Sequence, residues 1–383
     1  MEQAEKIDIL RHLVEINSVN GNELSISKYI SEKLAEHGIG SEIDEFGDNR
    51  ANLVAEIGDG TDKRVLAFEG HQDTVALGDE TKWTHEPLKF TLVGDQAYGR
   101  GTADMKSGLA AQIIALIELT EHHIPITGKL RFIATAGEEY GTPGANRLNE
   151  QGIAKDISAM VVGEPTGGEV IFAHSGSLNY QIKSYGKAVH SSTPEQGINA
   201  INGIVKYINR EASLFDDIKQ DEYLGPVKHS VTLIKGGDQV NIIPEYAEIY
   251  GNIRPTLKFP NNQVIDRIQQ VIAEINETTD YQLEFSLIHN FYPVETNPNN
   301  EFIKLVVETA ELDYVDRKSK LSIINGATDA SVFIQSNSDM PVVILGPDAW
   351  DKAHQVDEFT TLTSFFETIN TYEEIAKKYL HKQ

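Results

Sequence analysis

The chain has 383 residues, of which 40% are hydrophobic and 24% charged, and its formal net charge at pH 7 is −25. This length predicts two or three domains. The acidic balance argues against nucleic-acid binding, because that function needs a basic surface to replace counterions. The chain contains no cysteine, which excludes disulfides, thiolate metal ligands and cysteine nucleophiles. Any metal site must therefore use His, Asp and Glu.

The first elements in chain order are helical. Up to about Glu36, apolar residues recur at intervals of three and four, which predicts amphipathic helices. This N-terminal stretch is charged, unlike a signal peptide, and no window reaches the roughly 18 apolar residues of a membrane span. We therefore predict a cytoplasmic protein that has neither a membrane nor nucleic acid as a partner.

Strands and helices then alternate. The region from Gly40 to Gly70 predicts short strands that end with the apolar run VLAFEG, and a helix follows over Leu109–Thr120. Further predicted strands are LRFIATA, AMVVG and, near the C-terminus, PVVILG, which follows the predicted helix NEFIKLVVETAEL. This alternation predicts an α/β domain with a central, mostly parallel sheet and flanking helices.

The middle of the chain has a different pattern. Strand and helix signals follow the order β-α-β-β-α-β from SLNYQIKSYG to YQLEFSLI, which predicts a smaller ferredoxin-like α+β domain. We expect this inserted domain to comprise residues 177–288. The larger domain around it would then comprise residues 1–176 and 289–383.

Acids and histidines follow the predicted strands of the larger domain, in the segments EGHQDT, GRGTADMKSG, ATAGEEYG, VVGEPTG and DKAHQVDE. The residues that share this placement are His71, Asp73, Asp104, Glu138, Glu139, Glu164 and His354. Taken singly, each has an ordinary explanation as a turn former, a helix cap or a solvated side chain. In open α/β sheets, however, sites form at the carboxyl ends of the strands, so these side chains should lie together.

Acids beside apolar strands are costly to bury without positive charge, and these segments contain few lysines and arginines. Divalent metal ions would supply that charge. Imidazole and carboxylate ligands suit zinc first, with cobalt and manganese as alternatives. Two ions could share one carboxylate and activate a water, whose proton a further carboxylate would accept. In the extended segment His-x-Asp both side chains share a face, so Asp73 is placed to orient His71.

Five segments, GHQDTV, GRGTADMKSG, AGEEYG, VVGEPT and GKAVHSS, together resemble a known family. It is the family of co-catalytic zinc metallohydrolases that includes acetylornithine deacetylase, succinyl-diaminopimelate desuccinylase, aminoacylase and carboxypeptidase-type enzymes. The resemblance covers nearly the whole chain, in order and with fitting spacing. It implies that one metal binds His71, Asp104 and Glu164. The second metal would bind Asp104, Glu139 and His354, so that Asp104 bridges the two ions.

The resemblance implies further roles near the metals. Glu138 would act as the general base and later as the general acid. Asp73 would orient His71. In similar enzymes the peptide bond after the bridging aspartate is cis, so we expect a cis bond between Asp104 and Met105.

The resemblance also assigns roles outside the metal ligands. In similar enzymes the inserted domain forms the contact of a homodimer. His190 would reach the substrate, often in the partner's active site, and stabilise the oxyanion. Asn241 and Arg254 would bind the substrate carboxylate, and Gly326 and Thr328 would line the substrate pocket.

We therefore predict a homodimeric metallohydrolase that cleaves the amide bond of a small N-acylated amino acid. The first hypothesis is a desuccinylase or deacetylase of diaminopimelate or ornithine biosynthesis. A broader aminoacylase or dipeptidase is the alternative, because these enzymes share the metal core. Desuccinylases usually carry an arginine shortly after the position of Asp329, where this chain has the sequence ASV. A single-metal enzyme and a non-catalytic scaffold are further alternatives, and the presence of Glu138 and all five ligands argues against the scaffold.

Overall fold

The computed structural model describes residues 1–314, 320–348 and 350–381. Its helices are α1 (Gln3–Glu15), α2 (Leu24–Glu36), α3 (Ser107–Glu121), α4 (Pro143–Gln151), α5 (Ala200–Glu211), α6 (Asn261–Thr278), α7 (Glu301–Asp313), α8 (Ala330–Phe333) and α9 (Leu362–Leu380). Its strands are β1 (Ser41–Phe46), β2 (Arg50–Ile57), β3 (Val65–His71), β4 (Thr91–Val93), β5 (Gln96–Tyr98), β6 (Lys129–Thr135), β7 (Ala159–Val162), β8 (Val170–His174), β9 (Ser177–Tyr185), β10 (Val189–His190), β11 (Lys228–Gly236), β12 (Ile242–Ile243), β13 (Tyr246–Arg254), β14 (Gln282–Phe291), β15 (Val294–Glu295), β16 (Leu321–Ile324), β17 (Val342–Ile344) and β18 (Phe359–Thr361).

The chain divides into two compact units. Unit 1 comprises Met1–Phe172, Glu295–Ser322 and Thr328–Gln383, and unit 2 comprises Ala173–Val294 and Ile323–Ala327. Unit 2 thus interrupts unit 1 in the sequence. Among the helices of the described residues, none combines the length and apolar character that crossing a membrane requires.

The larger sheet contains nine described strands, in the order β1-β2-β6-β3-β7-β17-β8-β15 with β16 beside β8. Its centre is parallel, because β6, β3, β7 and β17 run in one direction. Antiparallel strands flank this centre: β1 and β2 form a hairpin, β2 pairs with β6, and β17 pairs with β8. The predicted α/β class is confirmed, with the parallel strands at the centre of a mixed sheet. Tight turns can join only antiparallel strands, which accounts for the hairpin at the edge.

The carboxyl ends of the central strands carry the candidate site residues. Strand β3, buried along its whole length, ends at His71, and Glu138 follows the end of β6 by three residues. Glu164 follows β7 by two residues, and Asp104 precedes the buried helix α3 by three. Continuous apolar strands and an almost entirely buried helix form this part of the core, as the sequence predicts.

Glycines allow the close packing around Asp104. A Cβ atom on Gly108 would lie 1.8 Å from the carbonyl oxygen of Gly163, so only glycine lets α3 begin against the segment that follows β7. Gly101 has φ 83, a left-handed conformation that glycine adopts without strain. The peptide bond between Asp104 and Met105 is cis, which confirms the prediction.

Unit 2 contains an antiparallel sheet in the order β11-β13-β9-β14. Helix α5 follows β9 and helix α6 follows β13, which is the predicted ferredoxin-like order. Apolar side chains of both helices and of the strands form one core. Along β13, Ala247, Ile249 and Ile253 are buried in this core, so Asn252 and Arg254 lie on the other, polar face.

Candidate metal centre

Two histidines from distant segments meet the two oxygens of one carboxylate. His71 Nε2 lies 3.0 Å from Asp104 Oδ1, and His354 Nε2 lies 3.2 Å from Asp104 Oδ2. Glu164 Oε1 is 3.6 Å from His71 Nε2, and Glu139 Oε1 is 2.7 Å from His354 Nε2. The structure therefore brings all five predicted ligands together, in two groups that share Asp104. The backbone of His354 is left-handed with φ 60, an uncommon conformation that is typical of functional positions.

Burial controls the electrostatics of this centre. It raises the pKa of Glu164 well above its usual value, and the charge of Asp104 raises that pKa further. Burial alone would lower the pKa of His71, but the carboxylates of Glu164 and Asp104 raise it well above the usual value. Hydrogen bonds with Asp104 and Glu139 raise the pKa of His354 to about 10. The acids and imidazoles compensate each other only in part.

The donor set fits divalent cations. Glu164 Oε2 is buried and has no hydrogen-bond partner among the described residues. Within that part of the chain, the ion-pair partners of Asp104, Glu139 and Glu164 are histidines and not lysines or arginines. Ligand atoms of His71, Asp104 and Glu139 lie within 4.8 Å of one another. Cations at this centre would neutralise the acids and satisfy the Glu164 oxygen.

Asp73 fixes the turn that carries Glu138. Its carboxylate accepts hydrogen bonds from the backbone N–H groups of Gly137, Glu138 and Glu139, at 2.8, 3.0 and 3.2 Å. The Glu138 side chain is partly exposed, and among the described residues it has no hydrogen-bond or ion-pair partner. Burial by its surroundings raises its pKa well above the usual value, against the effect of His71. Glu138 is thus held in position with a free carboxyl group.

The second ring nitrogen of His71 meets residue 73, as the sequence predicts, but mainly through the backbone. His71 Nδ1 lies 3.0 Å from the carbonyl oxygen of Asp73 and 3.6 Å from its carboxylate Oδ1. The Asp73 carboxylate is engaged by the 137–139 backbone instead. Asp73 therefore contacts both the candidate metal ligand His71 and the turn that carries the candidate base Glu138.

Sequence reasoning missed a buried ion pair behind the ligands. Glu358 accepts hydrogen bonds from the backbone N–H groups of residues 103–104, at 2.9 and 3.1 Å, and from Arg100 Nη1 at 2.6 Å. Arg100 Nη1 also donates to the carbonyl oxygen of Gln355, next to His354, at 3.1 Å. The pair thus joins the Asp104 segment to the His354 segment. Its only signals in the sequence are the arginine in GRG and the acid at the end of HQVDE.

The predicted substrate residues of unit 2 lie at two ends of its sheet. His190 is exposed on β10, and its neighbour Ser191 donates a backbone hydrogen bond of 3.0 Å to the carbonyl oxygen of Asn241. Asn241 precedes β13, whereas Arg254 is its last residue. Nine residues of antiparallel strand span about 27 Å. His190 and Asn241 therefore lie together, and Arg254 lies far from both within unit 2.

The last two predicted pocket residues fall in different units. Gly326 belongs to the Ile323–Ala327 segment of unit 2, while Thr328 belongs to unit 1. Thr328 is buried, and its Oγ1 accepts a hydrogen bond of 3.3 Å from the backbone N–H of Ala330, at the start of α8. Asn325, beside Gly326, accepts a hydrogen bond of 2.9 Å from Lys228 Nζ.

This arrangement defines a class of protein: a metal-dependent hydrolase, with an acid–imidazole centre at the carboxyl ends of parallel strands. Residues 67–378 match the model of peptidase family M20/M25/M40. The chain therefore belongs to this family and is an M20 metallohydrolase.

Two relatives illustrate the similarity in sequence. A Staphylococcus aureus (strain MRSA252) protein named "Probable succinyl-diaminopimelate desuccinylase" is 33% identical, over 100% of this chain and 99% of that protein. An acetylornithine deacetylase of Pectobacterium atrosepticum is 31% identical, over 81% of this chain and 79% of that protein. The chain is thus similar along its full length to one of these two relatives.

Solved structures show that the fold is shared. An M20 family metallo-carboxypeptidase of Sulfolobus solfataricus has a TM-score of 0.84 at 17% identity and covers 99% of both chains. A dinuclear metal-binding M20 peptidase of Bacillus subtilis has a TM-score of 0.73 at 19% identity, over 99% of this chain and 98% of that one.

Proposed function

We propose that the chain removes the acyl group of an N-acylated amino acid by hydrolysing its amide bond. N-succinyl-diaminopimelate is the first candidate substrate and N-acetylornithine the second, because relatives at 33% and 31% identity carry the corresponding names. The observation that carries the proposal is the position of Asp104, whose two oxygens face two histidines from distant segments. One carboxylate between two ligand groups is the arrangement that a two-metal hydrolase needs.

In this proposal one ion would be held by His71, Asp104 and Glu164, and the other by Asp104, Glu139 and His354. Zinc is the first candidate, with cobalt and manganese as alternatives, because these ions accept mixed imidazole and carboxylate ligands. The structurally similar Bacillus subtilis peptidase is a dinuclear metal-binding protein, which supports two ions. Bound ions of this kind supply Lewis acidity, which activates water and polarises a carbonyl group.

The residues of the chain would perform the proton transfers. Glu138 accepts the proton of the attacking water and later donates it to the leaving amine. Its raised pKa makes the carboxylate a stronger base toward the attacking water than an ordinary glutamate. Asp73 keeps Glu138 in place through three backbone hydrogen bonds. His190 would donate a hydrogen bond to the oxyanion.

We further propose that a second copy of the chain completes the site. One copy of unit 2 cannot bring His190 and Arg254 to the same small substrate, because they lie at opposite ends of β13. A partner subunit could supply His190 and Asn241. The edge strand β11 carries Leu233 and Ile234, exposed by 41% and 57%, which offer apolar surface to a second copy.

A broader aminoacylase or dipeptidase remains the alternative within the same family, because the metal centre does not distinguish these substrates. A panel of substrates tests the proposal. With zinc or cobalt present, we expect the chain to hydrolyse N-succinyl-L,L-diaminopimelate or N-acetyl-L-ornithine. The kcat/KM for the preferred substrate should exceed that for simple dipeptides by at least about tenfold, which corresponds to 1.4 kcal/mol of differential transition-state binding. A preference for dipeptides would favour the alternative. If the metal-bound protein hydrolyses no substrate of the panel, a non-catalytic scaffold is favoured.

A further inference from the structure

Two cations lie side by side on the polar face of the unit 2 sheet. Lys228 of β11 is directly opposite Arg254 of β13 in the antiparallel register, so the two side chains share a face. Like charges at directly opposite positions destabilise a sheet. Among the described residues, no carboxylate forms an ion pair with either of them. Lys228 is exposed and Arg254 is half-buried, so the pair is accessible to an anion from outside the chain.

The rest of this face does not supply the missing charge. The next row of the sheet contains the neutral side chains of Ser230, Asn252 and Asn179, together with His289, whose pKa is lowered by burial. Asn252 Nδ2 donates to Ser177 Oγ at 3.2 Å and to Asn179 Oδ1 at 2.5 Å. The first acid along this face of β13 is Glu248, six residues or about 20 Å from Arg254. This distance exceeds the Debye length of about 8 Å at physiological salt.

The surroundings favour an anion from outside the chain. Arg254 is partly buried, and the loss of water lowers its pKa. Burial, together with the charge of Arg254, lowers the pKa of the neighbouring His174 to about 4, so His174 adds no third positive charge at neutral pH. Lys228 Nζ is held by Asn325 at 2.9 Å, next to the predicted pocket residue Gly326. The Lys228 ammonium is thus held next to the strand position of Arg254, at one end of the sheet and beside a segment that the sequence assigns to substrate.

We propose that Lys228 is a specificity-determining residue, which together with Arg254 binds two carboxylates of one substrate. This inference rests on the proposed function, in which Arg254 binds the carboxylate of an N-acyl amino acid. The second carboxylate would belong to the same amino acid, so the preferred substrates are amides of dicarboxylic amino acids, diaminopimelate among them. An ornithine side chain is disfavoured, because it has no second carboxylate to bind Lys228.

Paired substrates test this selectivity. N-acetyl-L-glutamate and N-acetyl-L-glutamine have nearly the same shape and differ in one carboxylate. Nα-acetyl-L,L-diaminopimelate and Nα-acetyl-L-lysine form a second pair, which also differs in one carboxylate. We expect Lys228→Met to lower kcat/KM for the dicarboxylic member by about 10- to 100-fold, mainly through KM, because one charge-assisted hydrogen bond is lost. The monocarboxylic member should change less than about threefold. Lys228→Arg should keep the preference, and Lys219→Met, at an exposed lysine elsewhere in unit 2, should behave as the wild type.

Binding gives a readout that does not depend on turnover. Calorimetry should show glutarate binding to the metal-loaded wild type about 10-fold or more tighter than to Lys228→Met. Equal losses for both members of each substrate pair, or unchanged glutarate binding, would overturn the role of Lys228. The proposed function fails separately: in that case no acyl amino acid is hydrolysed, while glutarate binding still reports on Lys228.

Discussion

The molecule has a cluster of acids in unit 1 and a pair of cations in unit 2. Both groups lack a full counter-charge among the described residues. In unit 1, Asp104 and Glu164 are buried and Glu139 is half-buried, and none of the three has a described lysine or arginine as a partner. In unit 2, Lys228 and Arg254 stand side by side without a described acid. The acids of unit 1 are costly to bury without counter-charge, whereas in unit 2 Lys228 is exposed and only Arg254 loses part of its water. We propose that both centres are completed from outside, by metal ions in one case and by substrate carboxylates in the other.

The largest expected effect separates chemistry from metal binding in unit 1. Glu138→Gln should keep the metal content and lower kcat by about 10³-fold or more, because general acid–base catalysis alone contributes about 10²–10⁴-fold. Steady-state kinetics and metal analysis of the same sample would check this. Glu150→Gln, at an exposed position on α4, is the control for loss of one acidic charge. A Glu138→Gln variant with near-normal turnover would remove this residue from the mechanism.

A smaller effect tests whether unit 2 takes part in the chemistry. His190→Ala should lower kcat by about 10²- to 10³-fold, as the loss of one oxyanion donor does, and leave metal binding unchanged. If His190 acts across a dimer, co-expression of His190→Ala with Glu138→Gln chains should restore about a quarter of wild-type activity, because half of the dimers are mixed and each has one complete site. No recovery in verified mixed dimers would place His190 in its own subunit's site or outside any site.

The ion pair behind the metal ligands should affect metal affinity more than chemistry. Glu358→Gln leaves Arg100 without its buried partner and weakens the hold on the Asp104 backbone. We expect metal affinity to fall by about 10- to 100-fold, the usual effect of losing a group that orients ligands. Competition with a chelator would measure this, with Glu86→Gln as an exposed control. Activity at saturating metal should recover most of the wild-type value, and unaltered affinity would show that Glu358 only stabilises the fold.

The smallest expected effect concerns stability. Metal at 100 times its dissociation constant stabilises the folded state by about 2.7 kcal/mol per site. For a unit of this size we expect Tm to rise by about 5 °C or more when zinc is added to the metal-free protein. Glu138→Gln should show the same rise, whereas Glu164→Ala, which lacks a proposed ligand, should show less. Identical melting with zinc and with a chelator would contradict the metal centre.

The sequence predicts most of unit 1 because its signals are local. Each ligand lies in a short segment at the end of an apolar strand, so the β-strand pattern and the fold class together indicate that the five residues meet. Strands β4, β5 and β18 are missing from the prediction, because three residues are too few to show a period. The second nitrogen of His71 meets the backbone of Asp73 more closely than its carboxylate, a detail that no residue pattern encodes.

The cation pair of unit 2 could not be predicted in the same way. Lys228 lies one residue before the predicted strand HSVTLIKGG, and it meets Arg254 only through the register of two strands. Register depends on the packing of the whole sheet against α5 and α6. The ion pair of Glu358 and Arg100 could not be predicted from the sequence for a similar reason. Charged residues in loops usually indicate solvated surface, and this pair becomes buried only in the folded chain.

The central claim is that the acids of unit 1 hold two catalytic metal ions. Titration of the metal-free protein with zinc or cobalt, followed by hydrolysis of N-succinyl-L,L-diaminopimelate and N-acetyl-L-ornithine at each step, tests it most directly. We expect activity to rise until two equivalents are bound, with parallel binding measured by calorimetry. Full activity at one equivalent would contradict the two-metal site, and metal binding without hydrolysis of any N-acyl amino acid would contradict the proposed function.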